Sequence, residues 1–211
     1  MSRPDQRSTR VRRVGPEAVA EVAAVLAEAF DGYPFTAWTV AADRHPDRLT
    51  GLFRLTVERV GVPYGEVWAA DGADGRIAGA AVWLWPDREI PATVWADLVP
   101  LEAEYAGDRR EAMKLAGTVS AGLRPDRPHL LLATVGVRPC ARGRGIGPAL
   151  LAPALAEADR TGTPAYLETS APANLDFYHR LGFAVRARAQ IPGGPRVWAM
   201  HRVPAVPSTA T

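Results

Sequence analysis

What the chain lacks narrows its setting first. Only one cysteine, Cys140, occurs in 211 residues, so no internal disulfide can form and a reducing cytoplasmic location is expected. There is no run of about 18 apolar residues to span a membrane as a helix, and no signal-peptide pattern opens the sequence. Lysine is nearly missing: Lys114 is the sole one, arginine carries the positive charge, and the net charge is only +2. Apart from Arg10, Arg12 and Arg13 the arginines are scattered, and no basic stripe interleaves with aromatics, so no nucleic-acid partner is expected. No metal-ligand set is expected either.

What remains is globular. Hydrophobic residues make up 47% and charged ones 23%, enough for one well-filled core. A single domain over 10–203 is expected, between flexible ends at 1–9 and 204–211, which are polar or Pro-rich. VRRV (11–14) reads as a short strand, and the apolar spacing from Pro16 to Phe30 predicts a helix entered through a proline. DGYPFTAWTV reads as an aromatic turn, and 46–60 as a helix. GEVWAAD (65–71) and RIAGAAVWLWP (76–86) form a hairpin across DGADG. A helical stretch over 93–123 breaks near Gly107. HLLLATVGV (129–137) is a buried strand, followed by a glycine turn and the helix ALLAPALAEADRTG. AYLETS (165–170) is a strand, NLDFYHRLG (174–182) a helix, and 183–189 and 196–202 are two final strands. This order predicts a mixed α/β (α+β) layered fold.

The turn in VGVRPCARGRGIGPALL (135–151) offers backbone N–H groups at a helix start, where the dipole favours anions. Glycine there lets an anion reach the main chain and permits left-handed torsions. No Lys-Ser/Thr pair follows Gly147, so it is not a P-loop. Its spacing is G-x-G-x-G, so it is not the dinucleotide fingerprint. A phosphate cradle and a Gly/Arg-rich surface loop both fit the turn alone, and Pro148 removes one N–H from the first helical turn.

Two longer segments, ATVGVRPCARGRGIGPALL and LETSAPANLDFYHRLGF (167–183), resemble the GNAT superfamily of acetyl-coenzyme A-dependent N-acetyltransferases. The resemblance implies a GNAT fold: a mixed central sheet of about seven strands with helices on both faces. It implies acetyl-CoA as cofactor, its pyrophosphate on the turn at Arg142, Gly143, Arg144, Gly145, Ile146 and Gly147. The main chain of Val135, Gly136 and Val137 would hold the pantetheine arm and polarise the acetyl carbonyl. Asn174 would bond the coenzyme arm, and Tyr178, four residues on along one helix face, would be the acid that protonates the leaving thiolate. Glu168 is the candidate base, with a water relay or Tyr33 as alternatives. The four histidines have no paired partner, and Cys140 has no histidine signal beside it, so none is assigned chemistry. Tyr33, Phe35 and Trp38, with Trp83 and Trp85 of the hairpin, offer aromatic surface for a flat amine. The resemblance implies a small-molecule amine as partner, an aminonucleoside antibiotic such as puromycin. A protein or peptide acceptor and a non-catalytic acetyl-CoA-binding regulator remain alternatives, as do a monomer and a homodimer.

Overall fold

The computed structural model describes residues 9–205. The expected flexible ends fall almost wholly outside these; within them, the Ala205 N–H donates to Asp159 Oδ1 at 2.7 Å. Seven strands form one sheet in the order β1-β2-β3-β4-β5-β7-β6. They are β1 (Val11–Val14), β2 (Gly65–Asp71), β3 (Ile77–Leu84), β4 (Leu130–Val137), β5 (Ala165–Thr169), β6 (Ala184–Gln190) and β7 (Arg196–Arg202). All neighbours are antiparallel except β4 and β5.

Helices cover both faces. On one lie α1 (Val19–Phe30), α2 (Pro34–Thr39) and α3 (His45–Leu55), the last running through a π-helical stretch, Thr56–Gly61, into the single turn α4 (Val62–Tyr64). The long connection to β4 holds α5 (Ala92–Ala106) and α6 (Arg110–Ala121), separated at Gly107, whose φ of +64° is natural only for glycine. The other face carries α7 (Ile146–Thr161) and α8 (Leu175–Arg180). β3 is buried along its whole length and alternates between two cores. Ala80, Val82 and Leu84 meet Val22, Val25 and Leu26 of α1. Ala81 and Trp83 point oppositely, into the cluster with Leu150, Leu151 and Leu155 of α7. Burial on both faces explains why this antiparallel strand reads as a continuous apolar run.

Two details open the sheet. A bulge between Val82 and Trp83 lets β4 place Ala133 out of register. Beside it, β4 and β5 pair only at Leu130↔Ala165 and Leu131↔Tyr166. Beyond Leu131 the two strands diverge, leaving one edge of β4 without a ladder partner. The sequence reading is corrected at DGYPFTAWTV: it is mostly the helix α2, started by Pro34 in its first turn. The Thr36 and Thr39 hydroxyls bond back to Phe30 O and Phe35 O, each at 2.8 Å.

Candidate active site

A cavity of about 1360 Å³ fills the divergence between β4 and β5. That exceeds the ~300–1,000 Å³ typical of a single drug-sized ligand and leaves room for two substrates at once. One end is the glycine turn; the other is ringed by Phe30, Tyr33, Phe53 and Trp95.

At the turn, Gly143 and Gly145 both hold φ of +77°, and an added Cβ at either would face open space. Glycine serves torsion there, not clearance. The first backbone bond of α7 runs from Ala149 N–H to Gly145 O at 3.2 Å. None of the amides from Gly143 to Gly147 has a protein acceptor among the described residues. Five successive free N–H groups at the positive end of a 16-residue helix form an anion nest. Pro148 lies in the first helical turn, where an N–H has no intrahelical acceptor, so it costs the helix nothing. The neighbouring arginines brace the turn. Arg142 donates to Ala29 O at 2.9 Å and Val137 O at 3.3 Å, and Arg138 donates to Ile77 O at 2.9 Å while pairing with Glu28. Both tie the turn to the C-terminal end of α1, where cations are favoured. Gly147 seats α8, since a Cβ there would come within 3.3 Å of the Phe177 ring.

That seating brings Tyr178 to the cavity wall. The residue is 6% exposed, its ring edge-on to Phe177 and Phe183 at 4.9 and 6.0 Å. Burial, reinforced by nearby Tyr33, pushes its pKa well above the ordinary phenol value, so it stays a protonated donor. No hydrogen bond engages its hydroxyl among the described residues. Across from it, Tyr33 Oη accepts the Ser170 N–H at 2.7 Å and shares a bond with Thr169 Oγ1 at 3.0 Å. Thr169 Oγ1 also receives Asn174 Nδ2 at 3.3 Å and the Ala171 N–H at 3.4 Å. With both lone pairs occupied, the threonine gives its own hydrogen to Tyr33, whose oxygen is then doubly accepting. The Tyr33 O–H is left as an uncommitted donor on the cavity. Thr134 Oγ1 and Ser170 Oγ, two more cavity-lining groups, are buried without a partner among the described residues. Unsatisfied hydroxyls in a cavity wall suit a polar ligand better than a sealed core. Glu168 lines the same wall and accepts the Tyr166 phenol at 2.7 Å, whose pKa is raised chiefly by burial.

A model of the acetyltransferase (GNAT) family matches residues 36–183. The chain belongs to that family. Solved structures agree on the fold. An acetyltransferase of Corynebacterium glutamicum, described as histone acetyltransferase HPA2 and related acetyltransferase, superposes with a TM-score of 0.72 at 28% identity, over 96% of this chain and 99% of that one. Polyamine N-acetyltransferase of Drosophila melanogaster gives 0.60 at 18% identity, over 93% of this chain and 100% of its own. Arylalkylamine N-acetyltransferase 2 of Aedes aegypti gives 0.60 at 15% identity, over 93% and 99%. The seven-stranded sheet with helices on both faces is thus the GNAT fold.

In this acetyltransferase the sequence-derived residues do not all converge. Val135, Gly136, Val137, Arg142, Gly143, Gly145, Ile146, Gly147, Glu168, Asn174 and Tyr178 line the cavity, as do Tyr33 and Phe35. Arg144 is exposed outside it, and the Arg142 guanidinium is spent on carbonyls, so the turn offers amides more than side-chain charge. Trp83 is a correction: it is 0% exposed in the α7 core and does not reach the cavity, because its strand position points away from α1. Trp38 is a second one. It packs on Gly194, where a Cβ would come within 2.8 Å of its ring, and against Ile191 and Val197. Trp95, Phe30 and Phe53 take the places expected of them. Their α-helical settings gave no sign of a shared wall. No helix of the described residues is long and apolar enough to cross a membrane.

Proposed function

We propose that the chain transfers an acetyl group from acetyl-coenzyme A to the free amine of a small molecule, by direct attack in a ternary complex. GNAT enzymes generally take their acetyl group from this donor, and the chain's own groups suit it. The observation that carries the reading is one cavity holding a five-amide anion nest, an unpaired strand edge and a buried, protonated Tyr178. The nest receives the pyrophosphate, and the free edge of β4 from Ala133 to Val137 offers main-chain N–H and C=O groups to the pantetheine arm. Tyr178 donates its proton to the sulfur as the C–S bond breaks and the C–N bond forms, and regains one from solvent. Glu168, held by Tyr166, takes the amine proton directly or through water. Asn174 uses its amide nitrogen on Thr169 and keeps its carbonyl for the coenzyme arm.

For the acceptor, the motifs from Val14 to Arg202 resemble puromycin N-acetyltransferase, which supports an aminonucleoside antibiotic such as puromycin and a role in resistance. The aromatic end of the cavity, with Tyr33 and Phe35, supports a flat, partly apolar amine over a peptide laid in an open groove. The test is thiol release from acetyl-CoA across a panel of amines that includes puromycin, other small amines and peptides. Release with small amines is expected. Release with peptides alone replaces this reading with protein acetylation, and coenzyme binding without release replaces it with a regulator.

A further inference from the structure

The α5 wall of the cavity carries a carboxyl group that no assigned step uses. Trp95, Leu98 and Glu102 recur at i, i+3 and i+7 on α5, and all three line the cavity. Leu98 is buried and anchors this face on the α1 core, which fixes the direction in which its neighbours point. Trp95 stays 42% exposed, large for a tryptophan with one side already in a pocket. Glu102 is half-buried and forms no ion pair or hydrogen bond among the described residues. Nearby Glu104 differs in exposure: its side chain lies in solvent, and it is its main-chain carbonyl that accepts Arg48. Burial alone raises the Glu102 pKa, with no neighbouring positive charge acting to lower it. A carboxylate withdrawn from water without a counter-charge is costly, and native structures ordinarily pair it. Trp95 and Glu102 lie about 10.5 Å apart along the helix, which spans a small molecule. An indole face and a carboxylate together are the two side-chain types that attract an organic cation.

We propose that the Trp95–Leu98–Glu102 face of α5 is the specificity surface of the acceptor site, with Glu102 pairing a second cationic group on the acceptor. The preferred substrates are then diamines or aminoguanidines, in which one nitrogen reacts near Tyr178 and another, still protonated, seats on Glu102. This rests on the acetyl-transfer reading and selects, among its small-molecule amines, dications over a singly charged aminonucleoside.

The probes are α,ω-diamines from diaminobutane to diaminodecane, each against the n-alkylamine of equal length, with thiol release as the readout. At one length the diamine is expected to be at least about tenfold better in kcat/KM, the size of one modest charge–charge contact. Glu102→Gln is expected to erase that preference through KM while leaving kcat, and transfer to the monoamines, unchanged. Glu102→Asp should retain part of it at a longer chain length. Intact monoamine transfer also shows that the variant folds. Equal efficiency for diamines and monoamines at every length, or an equal loss for both in Glu102→Gln, overturns the Glu102 assignment alone. Absence of thiol release with every amine removes the acetyl-transfer reading itself and this proposal with it.

Discussion

Five peptide N–H groups in a row, Gly143 to Gly147, form one end of the cavity, and side chains from four separate helices form the other. The first is held by two positive-φ glycines and by arginines that reach the carbonyls of neighbouring backbone. The second is held by packing of Phe30 on Tyr33 and Phe53, both at 4.9 Å, and by one phenol hydrogen-bonded to the end of β5. A donor common to a family can be met by main-chain groups, whose geometry tolerates many sequences. An acceptor peculiar to one enzyme has to be met by side chains, which can vary without disturbing the turn. Tyr178 stands where the two ends meet.

Changing Tyr178 to phenylalanine should therefore have the largest effect on the reaction and the least on binding. Turnover is expected to fall about 10²–10⁴-fold, the range for loss of a positioned acid, with donor affinity unchanged in calorimetry. Unchanged turnover would remove the acid assignment. Gly145→Asp attacks the donor end alone. Left-handed backbone costs a non-glycine residue roughly 1–2 kcal/mol, and the carboxylate also faces an anion nest, so coenzyme affinity should drop about 10–100-fold. Equal loss of acceptor affinity would show that the ends are not separable. Tyr33→Phe attacks the acceptor end. It should raise the acceptor KM and spare donor affinity. By stranding the Ser170 N–H it should also cost about 1–3 kcal/mol of stability, read by denaturant unfolding.

The mildest change for the chemistry is Arg202→Met, which lies away from both ends. Arg202 grips Asp159 with two bonds of 2.6 and 2.7 Å. Those bonds hold the Asp159 pKa below the usual carboxylate range. A depressed carboxylate contributes stability above its unfolded pKa of about 3.9 and loses it as pH falls through the folded value. The variant should lose about 1–3 kcal/mol near neutrality and show a flatter decline in stability below about pH 4, with both KM values unchanged.

The glycine turn was legible because its information is local. Glycine spacing, the strand before it and the helix after it occupy consecutive residues, and Asn174 and Tyr178 fall one helical turn apart. The aromatic wall was only partly legible because its contacts are remote: Tyr33 bonds Thr169 across 136 residues. Trp83 illustrates the limit. In a strand buried on both faces, alternation no longer tells the cavity side from the core side, and here the α7 core claims the indole. Trp38 follows from the same gap, since the aromatic turn is a helix and its third aromatic faces Gly194. Glu102 carried no signal at all, because a glutamate in an amphipathic helix is ordinary until its neighbours are known.

The two residue pairs that join β4 to β5 also make the geometry of the cavity sensitive to a small local angle. Among the described residues, Leu130 and Leu131 are the positions of β4 that pair with β5, the seam between a four-strand and a three-strand portion of the sheet. Val137 lies six residues beyond it, a lever arm of about 20 Å at strand rise. A rotation of roughly 3° at the seam then moves the tip of β4 by about 1 Å against β5, and an error of that size can cost a reaction ~100-fold. The placement of β4 against β5 thus rests on Leu130 and Leu131, the second of which also lines the cavity.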